Sequence, residues 1–179
     1  GYVRHSLKKD FRIKQYPQID PRFLFVNIGY NFRPTELQAG IGLAQLKKLE
    51  NFLEKRRNNA QFLNERLEKY SDFLILPREN KNISHSWFCY PLTIKDNSKL
   101  KREELISFLE KNEIETRLLV AGNLAEQPAL KLFNYKKGNL KYSEHIMKNS
   151  FYIGNNPSFS SNDLEYIAGI FDDFFSSKI

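Results

Sequence analysis

Residues 28–46 read IGYNFRPTELQAGIGLAQL and contain the most informative pattern in the chain. We expect Pro34 to be the first residue of a helix, because the first turn leaves its N–H groups unpaired and proline has none to lose. Asn31 and Arg33 come just before this helix, and polar donors at a helix start suit an anion. The sequence therefore makes Asn31 and Arg33 candidate anion-binding residues.

Two glycines, Gly40 and Gly42, lie inside this predicted helix. Each costs up to about 1 kcal/mol relative to alanine in a helix interior. A helix that keeps both is expected to gain from close contact with another surface. That surface is either another part of the same chain or another subunit, and the pattern does not choose between them.

Apolar residues at spacings of three and four continue the helical pattern, as one long or two abutting helices. We predict three parts: an irregular segment 1–33, a helical arm 34–70 and a small α/β domain 71–179. In the domain, helices cover one face of a sheet. Its predicted strands are 73–76, 86–94, 114–120 and 150–154, and its predicted helices are 100–112, 129–133, 140–148 and a last one capped by residues 160–163. Pro91 predicts an edge strand or a bulge.

The composition excludes several classes of protein. The chain has 179 residues, of which 41% are hydrophobic, so a folded core is expected. No apolar run reaches the roughly 18 residues of a membrane helix, and no signal peptide is expected at the start. The single cysteine, Cys89, fits a reducing, cytoplasmic setting and is expected to be a small buried hydrophobe. Although the net charge is +7, the basic residues alternate with acidic ones, which disfavours nucleic acid as a partner.

No self-sufficient catalytic motif is visible in the sequence. It has no nucleophile elbow, phosphate-binding loop, dinucleotide fingerprint or metal-ligand spacing, and its three histidines lie far apart. The remaining candidates besides Asn31 and Arg33 are Arg117, in a predicted strand, and Asn123, just after it. Arg117 has the alternative of pairing only with Glu115, and Asn123 of supplying only a turn. Spacing alone does not indicate an enzyme, and we expect no metal site.

Several stretches together resemble the DegT/DnrJ/StrS family of sugar aminotransferases and dehydratases. The first is GYNFRPTELQA at 29–39, continued by GLAQLKKL at 42–49 and RRNNA at 56–60. The later ones are SWF at 86–88, ETRLL at 115–119, AGNL at 121–124, QP at 127–128 and FYIGN at 151–155. These later stretches look like the 3-dehydratase branch, and in the ordinary aminotransferase branch the position of Asn123 tends to be a histidine.

The resemblance implies a fold and a chemistry. The fold would be α/β, the C-terminal small domain of a fold-type I transferase preceded by a long helical arm. The cofactor would be pyridoxal or pyridoxamine 5'-phosphate, and the substrate a CDP- or GDP-linked 4-keto-6-deoxyhexose in lipopolysaccharide synthesis. Asn31 would reach the cofactor phosphate of a neighbouring subunit in a homodimer, with Arg33 adding charge. Arg117 and Asn123 would lie towards the sugar nucleotide.

The chain also departs from the family pattern. Members carry a large N-terminal domain with the phosphate-binding loop and the Schiff-base lysine, which a histidine replaces in the dehydratase branch. Residues 1–27 do not match that domain. We therefore expect no catalytic residue in this chain, no tight cofactor binding and no turnover by it alone. A sugar aminotransferase, a non-catalytic dimerisation or binding module and a basic nucleic-acid-binding domain are the alternatives.

Overall fold

The structure, a computed structural model, describes residues 14–17, 19, 30, 32, 34–120 and 122–178. The predicted irregular segment 1–33 therefore lies almost wholly outside the described residues. Two compact units divide the chain, Gly1–Lys47 and Lys48–Ile179. The predicted helical arm is thus shared between them.

The first described helix, α1, spans Glu36–Leu46. The expectation that Pro34 is its first residue is wrong, because Thr35 caps the helix and Glu36 is its first residue. The Thr35 hydroxyl accepts a hydrogen bond from the Gln38 N–H, and the Gln38 side chain accepts one from the Thr35 N–H. This reciprocal capping box satisfies two donors that the helix start would leave unpaired.

The second helix, α2, spans Leu49–Leu67 and continues into a 3₁₀ turn, Glu68–Tyr70. The expected helical stretch is therefore two abutting helices. Ala60, Leu63 and Leu67 recur at spacings of three and four and are almost fully buried. This stripe makes α2 part of the core of the second unit.

Four antiparallel strands form the sheet in the described part of the second unit. They are β1 (Leu74–Ile75), β2 (Cys89–Ile94), β3 (Thr116–Leu118) and β4 (Ser150–Gly154), in the spatial order β1-β2-β4-β3. The registers pair Leu92 with Phe151 and Arg117 with Tyr152. The strands lie where the sequence predicted them, although β3 is shorter than the predicted 114–120.

The prediction that Pro91 marks an edge strand or a bulge is wrong, because β2 lies inside the sheet and pairs residue for residue with β4 across Pro91. Proline has no N–H group to donate to a neighbouring strand, so its nitrogen must face a side of β2 on which no strand pairs with it. The strand β1 pairs only with Thr93 and Ile94, so β2 is uncovered next to Pro91 on that side. A residue without an N–H group is tolerated there.

The other helices are α3 (Arg102–Lys111), α4 (Lys141–Asn149) and α5 (Ser161–Ser176), with 3₁₀ turns at Leu124–Glu126 and Pro128–Leu132. The predicted short helix at 129–133 is thus a 3₁₀ turn, and the Ser160 cap of α5 is confirmed. Both α2 and α3 pack against α5. Their apolar sides share one core with the inner residues of the sheet, as the predicted α/β architecture requires.

Asp172 of α5 ties this helix to the end of α2. Its carboxylate accepts a hydrogen bond from the Tyr70 hydroxyl at 2.8 Å and pairs with the Lys69 ammonium at 2.8 Å. Behind it, the Tyr70 ring stacks on Phe175 with ring centres 4.1 Å apart. A polar clamp and an aromatic stack therefore hold the same helix pair together.

Candidate functional site

A cleft of about 570 Å³ opens beside β3 and the start of α5, and Arg117 is one of its lining residues. This volume is in the range of small-molecule sites. Aromatic side chains, Tyr152 and Tyr166 among them, line it together with carboxylates. The structure thus places one of the four predicted site residues in a cleft.

Within the cleft, the Arg117 side chain forms an ion pair with Glu115. The Arg117 guanidinium donates two hydrogen bonds to one oxygen of Glu115, at 2.7 and 3.0 Å. The hydrogen bond to Glu115, and then the charge of that residue, raise the pKa of the exposed Arg117 side chain. This is the ion pair that the sequence offered as the alternative to a binding role.

The charge of the cleft does not favour an anion. Glu113, Glu115 and Asp163 line it, against the single guanidinium of Arg117 among the described lining residues. The hydrogen bonds from the Ser160 backbone and hydroxyl lower the pKa of Asp163, so this residue is ionised at neutral pH. Phosphate groups bind to cations and free amide donors. The described lining by itself therefore does not form a phosphate site.

Asn123 lies apart from the cleft lining, in the loop that follows β3. The residue is buried, with 3% of its surface exposed. The Asn123 Oδ1 atom accepts a hydrogen bond from the Ala125 N–H at 3.2 Å and so caps the short 3₁₀ turn. Its Nδ2 atom is buried and has no hydrogen-bond partner in the described part of the chain. Asn123 thus has the turn role that the sequence gave as an alternative, and its Nδ2 group remains without an acceptor among the described residues.

The loop before Asn123 fits tightly against α4. Gly122 has a φ angle of +61°. A Cβ atom at this position would come within 2.6 Å of the Met147 side chain. Glycine is required here both by the backbone conformation and by the lack of space.

Sequence reasoning missed a buried amide pair, Asn59 of α2 and Asn155 just after β4. The Asn59 Nδ2 atom donates to the Asn155 Oδ1 atom at 3.0 Å. Asn155 in turn donates to the backbone carbonyl oxygens of Arg56 and Trp87, at 3.0 and 2.9 Å. These bonds connect three of the stretches that carry the family resemblance: RRNNA at 56–60, SWF at 86–88 and FYIGN at 151–155.

Two arginines of α2 hold the loop that contains Trp87. Arg57 donates to the Ser84 hydroxyl at 2.7 Å and to the His85 carbonyl oxygen at 3.3 Å. The guanidinium carbon of Arg56 lies 5.6 Å from the centre of the Phe88 ring, within range of a cation–π contact. This network shapes the loop, and no spacing pattern in the sequence predicted it.

The remaining reactive side chains give little sign of a catalytic site. Cys89 is half-buried, and burial raises the pKa of its thiol, which disfavours the nucleophilic thiolate. Among the described residues, no group of three or more His, Cys, Asp or Glu side chains is placed to hold a metal ion. Asn31 and Arg33, the predicted phosphate ligands, lie outside the described residues.

The matches to known proteins agree with this small α/β unit. The model of the DegT/DnrJ/EryC1/StrS aminotransferase family matches residues 4–172. The chain belongs to this family. It is similar to the lipopolysaccharide biosynthesis protein RfbH of Salmonella typhimurium, with 38% identity over 87% of this chain and 36% of that protein. It is also similar to the GDP-4-keto-6-deoxy-D-mannose 3-dehydratase of Escherichia coli O55:H7, with 34% identity over 93% of this chain and 43% of that enzyme.

A solved structure of the E. coli enzyme with bound hydrated PLP shares the fold of this chain. The TM-score is 0.77 at 33% identity, and the match covers 86% of this chain and 39% of the enzyme. The resemblance read from the sequence is confirmed. The chain spans less than half the length of these relatives. The described lining of the cleft does not form a phosphate site, so it does not fit the cofactor phosphate without further residues.

Proposed function

We propose that this chain is the C-terminal part of a pyridoxal phosphate-dependent 3-dehydratase that acts on a nucleotide-linked 4-keto-6-deoxyhexose. The observation that carries the proposal is the match to the E. coli 3-dehydratase over 93% of this chain. The structural match to the same enzyme supports it. The pathway would be the synthesis of a surface polysaccharide, because the similar protein RfbH is a lipopolysaccharide biosynthesis protein.

In this proposal the chain supplies binding groups and support, while the catalytic histidine lies outside it. Asn31 would donate to the cofactor phosphate and Arg33 would add charge. Arg117 and Asn123 would lie on the sugar-nucleotide side. The Arg117 side chain is exposed and its partner Glu115 is too. Exposed ion pairs contribute little to stability. In this proposal Arg117 leaves Glu115 for a substrate phosphate, and donors outside the described lining offset the carboxylates of the cleft.

A homodimer in the cytoplasm completes the proposal. The apolar side chains of α1 support a second subunit, because Leu37, Ile41, Leu43 and Leu46 are all exposed. A Cβ atom placed at Gly40 or Gly42 would meet no described atom within 4 Å, so close packing within the described chain does not explain these glycines. No helix among the described residues is long and apolar enough to cross a membrane.

A chimaera tests the proposed activity directly. This chain would replace the matched part of the E. coli 3-dehydratase, and the protein would be incubated with GDP-4-keto-6-deoxy-D-mannose and pyridoxamine 5'-phosphate. The amine of this cofactor supplies the two electrons that removal of the C3 oxygen requires, and leaves as ammonia. Mass spectrometry of the sugar nucleotide is the readout. We expect a product that has lost the C3 oxygen and keeps the C4 ketone.

Two results would contradict the proposal. A folded chimaera that binds the cofactor but leaves the sugar nucleotide unchanged would show that this chain does not supply a working C-terminal part. A product with an amine at C4 and its C3 hydroxyl intact would indicate a sugar aminotransferase instead. The unaltered E. coli enzyme is the control for cofactor and substrate quality.

A further inference from the structure

We propose that the segment from Leu118 to Tyr135 is a docking surface for the part of the enzyme that lies outside this chain; the inference rests on the proposed function. Six large apolar or aromatic side chains of this segment are exposed: Leu118, Val120, Leu124, Leu132, Phe133 and Tyr135. Val120 is 92% exposed and Leu132 is 84% exposed. Exposed apolar side chains concentrated in one short segment are typical of an interaction site.

The docking surface is held in place by contacts rather than being a loose loop. The Tyr135 hydroxyl donates to the Ala125 carbonyl oxygen at 2.8 Å. The Lys137 ammonium, just beyond the segment, pairs with Glu126 and, at 3.2 Å, with Glu144 of α4. These contacts fold the segment back on itself and fix it to α4. The exposed apolar side chains are therefore presented by an ordered part of the chain.

The backbone of the docking surface is strained at its most exposed residue. Val120 has a φ angle of +41°, in the left-handed region that β-branched residues rarely adopt. Two short hydrogen bonds of 2.7 Å maintain this turn, from the Val120 N–H to the Leu118 carbonyl and from the Gly122 N–H to the Leu119 carbonyl. Such strain persists where the position of a side chain is functionally needed. Here it directs Val120 outwards.

The docking surface also leaves a polar group unpaired. The Nδ2 atom of Asn123 is buried and lacks a hydrogen-bond partner among the described residues, although its Oδ1 atom is used by the Ala125 N–H. A buried donor without an acceptor costs free energy. An exposed apolar surface and an unpaired buried donor in the same segment indicate packing that this chain alone does not complete.

The length of the relatives identifies the occupant. The matched part is 43% of the E. coli enzyme, and in its solved structure 39% of the chain carries the fold seen here. More than half of such an enzyme therefore lies outside the matched part. Separating one part of a folded protein from the rest exposes the apolar residues that joined them. We assign the docking surface to that remaining part rather than to a second copy of this chain.

The experiment uses this chain and the segment of the E. coli 3-dehydratase outside the match, produced separately. Binding would be measured by titration calorimetry after circular dichroism shows that the segment is folded. The test variant is Leu132→Ser with Phe133→Ser. The control is Ile75→Ser, an exposed residue of β1 at the opposite edge of the sheet from β3. Fluorescence of Trp87 in the core would show that both variants remain folded.

We expect the chain to bind the segment, the double variant to bind at least about tenfold more weakly, and Ile75→Ser to bind like the wild type. Equal affinities for all three proteins would overturn the inference. So would absence of binding to the folded segment, or self-association of this chain that the double variant abolishes. If the segment does not fold alone, the chimaera replaces it.

In the chimaera, amide hydrogens of residues 118–135 should exchange more slowly than in this chain alone. Unchanged exchange in a folded chimaera would overturn the inference. Neither readout requires sugar or turnover, so the two proposals can fail separately. A chimaera with protected residues 118–135 and no dehydration would contradict the proposed function and leave the docking surface intact.

Discussion

Replacing Asn155 with alanine should destabilise the second unit strongly, because this buried side chain joins three parts of the fold. It accepts from Asn59 at 3.0 Å and donates to the carbonyl oxygens of Arg56 and Trp87 at 3.0 and 2.9 Å. Each net hydrogen bond contributes about 0.5–1.5 kcal/mol, so the loss of three is about 3 kcal/mol. Asn59 would keep one bond, to the Asn156 carbonyl.

Urea denaturation followed by tryptophan fluorescence is the appropriate assay. The chain has one tryptophan, Trp87, which is 7% exposed and contacts the altered site directly. With a denaturant slope of about 1–3 kcal/mol per molar urea, a loss of about 3 kcal/mol should lower the midpoint by about 1–3 M. The matched control, Asn82→Ala in an exposed loop, should change the free energy of unfolding by less than about 0.5 kcal/mol.

A double-mutant cycle with Asn59→Ala separates the amide pair from its surroundings. Residues in direct contact are coupled, so the double variant should lose about 1 kcal/mol less than the sum of the two single variants. A loss below about 0.5 kcal/mol for Asn155→Ala, or strict additivity in the cycle, would refute the reasoning. The loop at Trp87 would then be held by other contacts.

Three further changes test the account. Asp172→Asn should lower the free energy of unfolding by about 1–2 kcal/mol at pH 7. Burial alone would raise the pKa of the Asp172 carboxyl, but the hydrogen bonds from Lys69 and Tyr70 outweigh burial and lower this pKa below its ordinary value of 3.8. The stability that ionised Asp172 contributes is therefore complete above pH 3.8 and is lost as the pH falls through the lower pKa of the folded state. The urea midpoints of the wild type and the variant should converge in acid. Gly122→Ala should lower the thermal midpoint by several degrees, a cost of about 2 kcal/mol, because its Cβ would clash with a methionine of α4. Gly42→Leu should convert a dimer of the wild-type chain to monomers in light scattering; a monomer in both proteins would contradict the proposed interface.

Local chemistry made the ends of several elements predictable. Ser160 and Asp163 form a reciprocal capping box, and this pattern depends on residues three positions apart. The start of α1 was misplaced because Pro34 and Thr35 both suit a helix start, and hydrogen bonds to Gln38 decided for Thr35. The residues near a helix start limit which of them can begin the helix, and the geometry of their side-chain hydrogen bonds decides which one does.

Long-range contacts could not be predicted in the same way. Pro91 suggested an edge strand, but the position of a strand within a sheet depends on which distant strands pair with it. Asn59 and Asn155 are 96 residues apart, and no spacing rule connects two single amides at that separation. Both lie in stretches that resemble the family, which was the one available signal. The sequence gave the ion pair between Arg117 and Glu115 as one alternative, and the structure contains this pair. The role of Arg117 in substrate binding stays a prediction.

The central claim is that this chain completes an enzyme without holding a working active site itself. Absorbance titration with pyridoxal phosphate tests it most directly, with this chain and the chimaera measured side by side. We predict that the chimaera forms a firm 1:1 complex, and that this chain alone gives only the sum of the spectra of free cofactor and protein. A firm 1:1 complex with this chain alone would contradict the account.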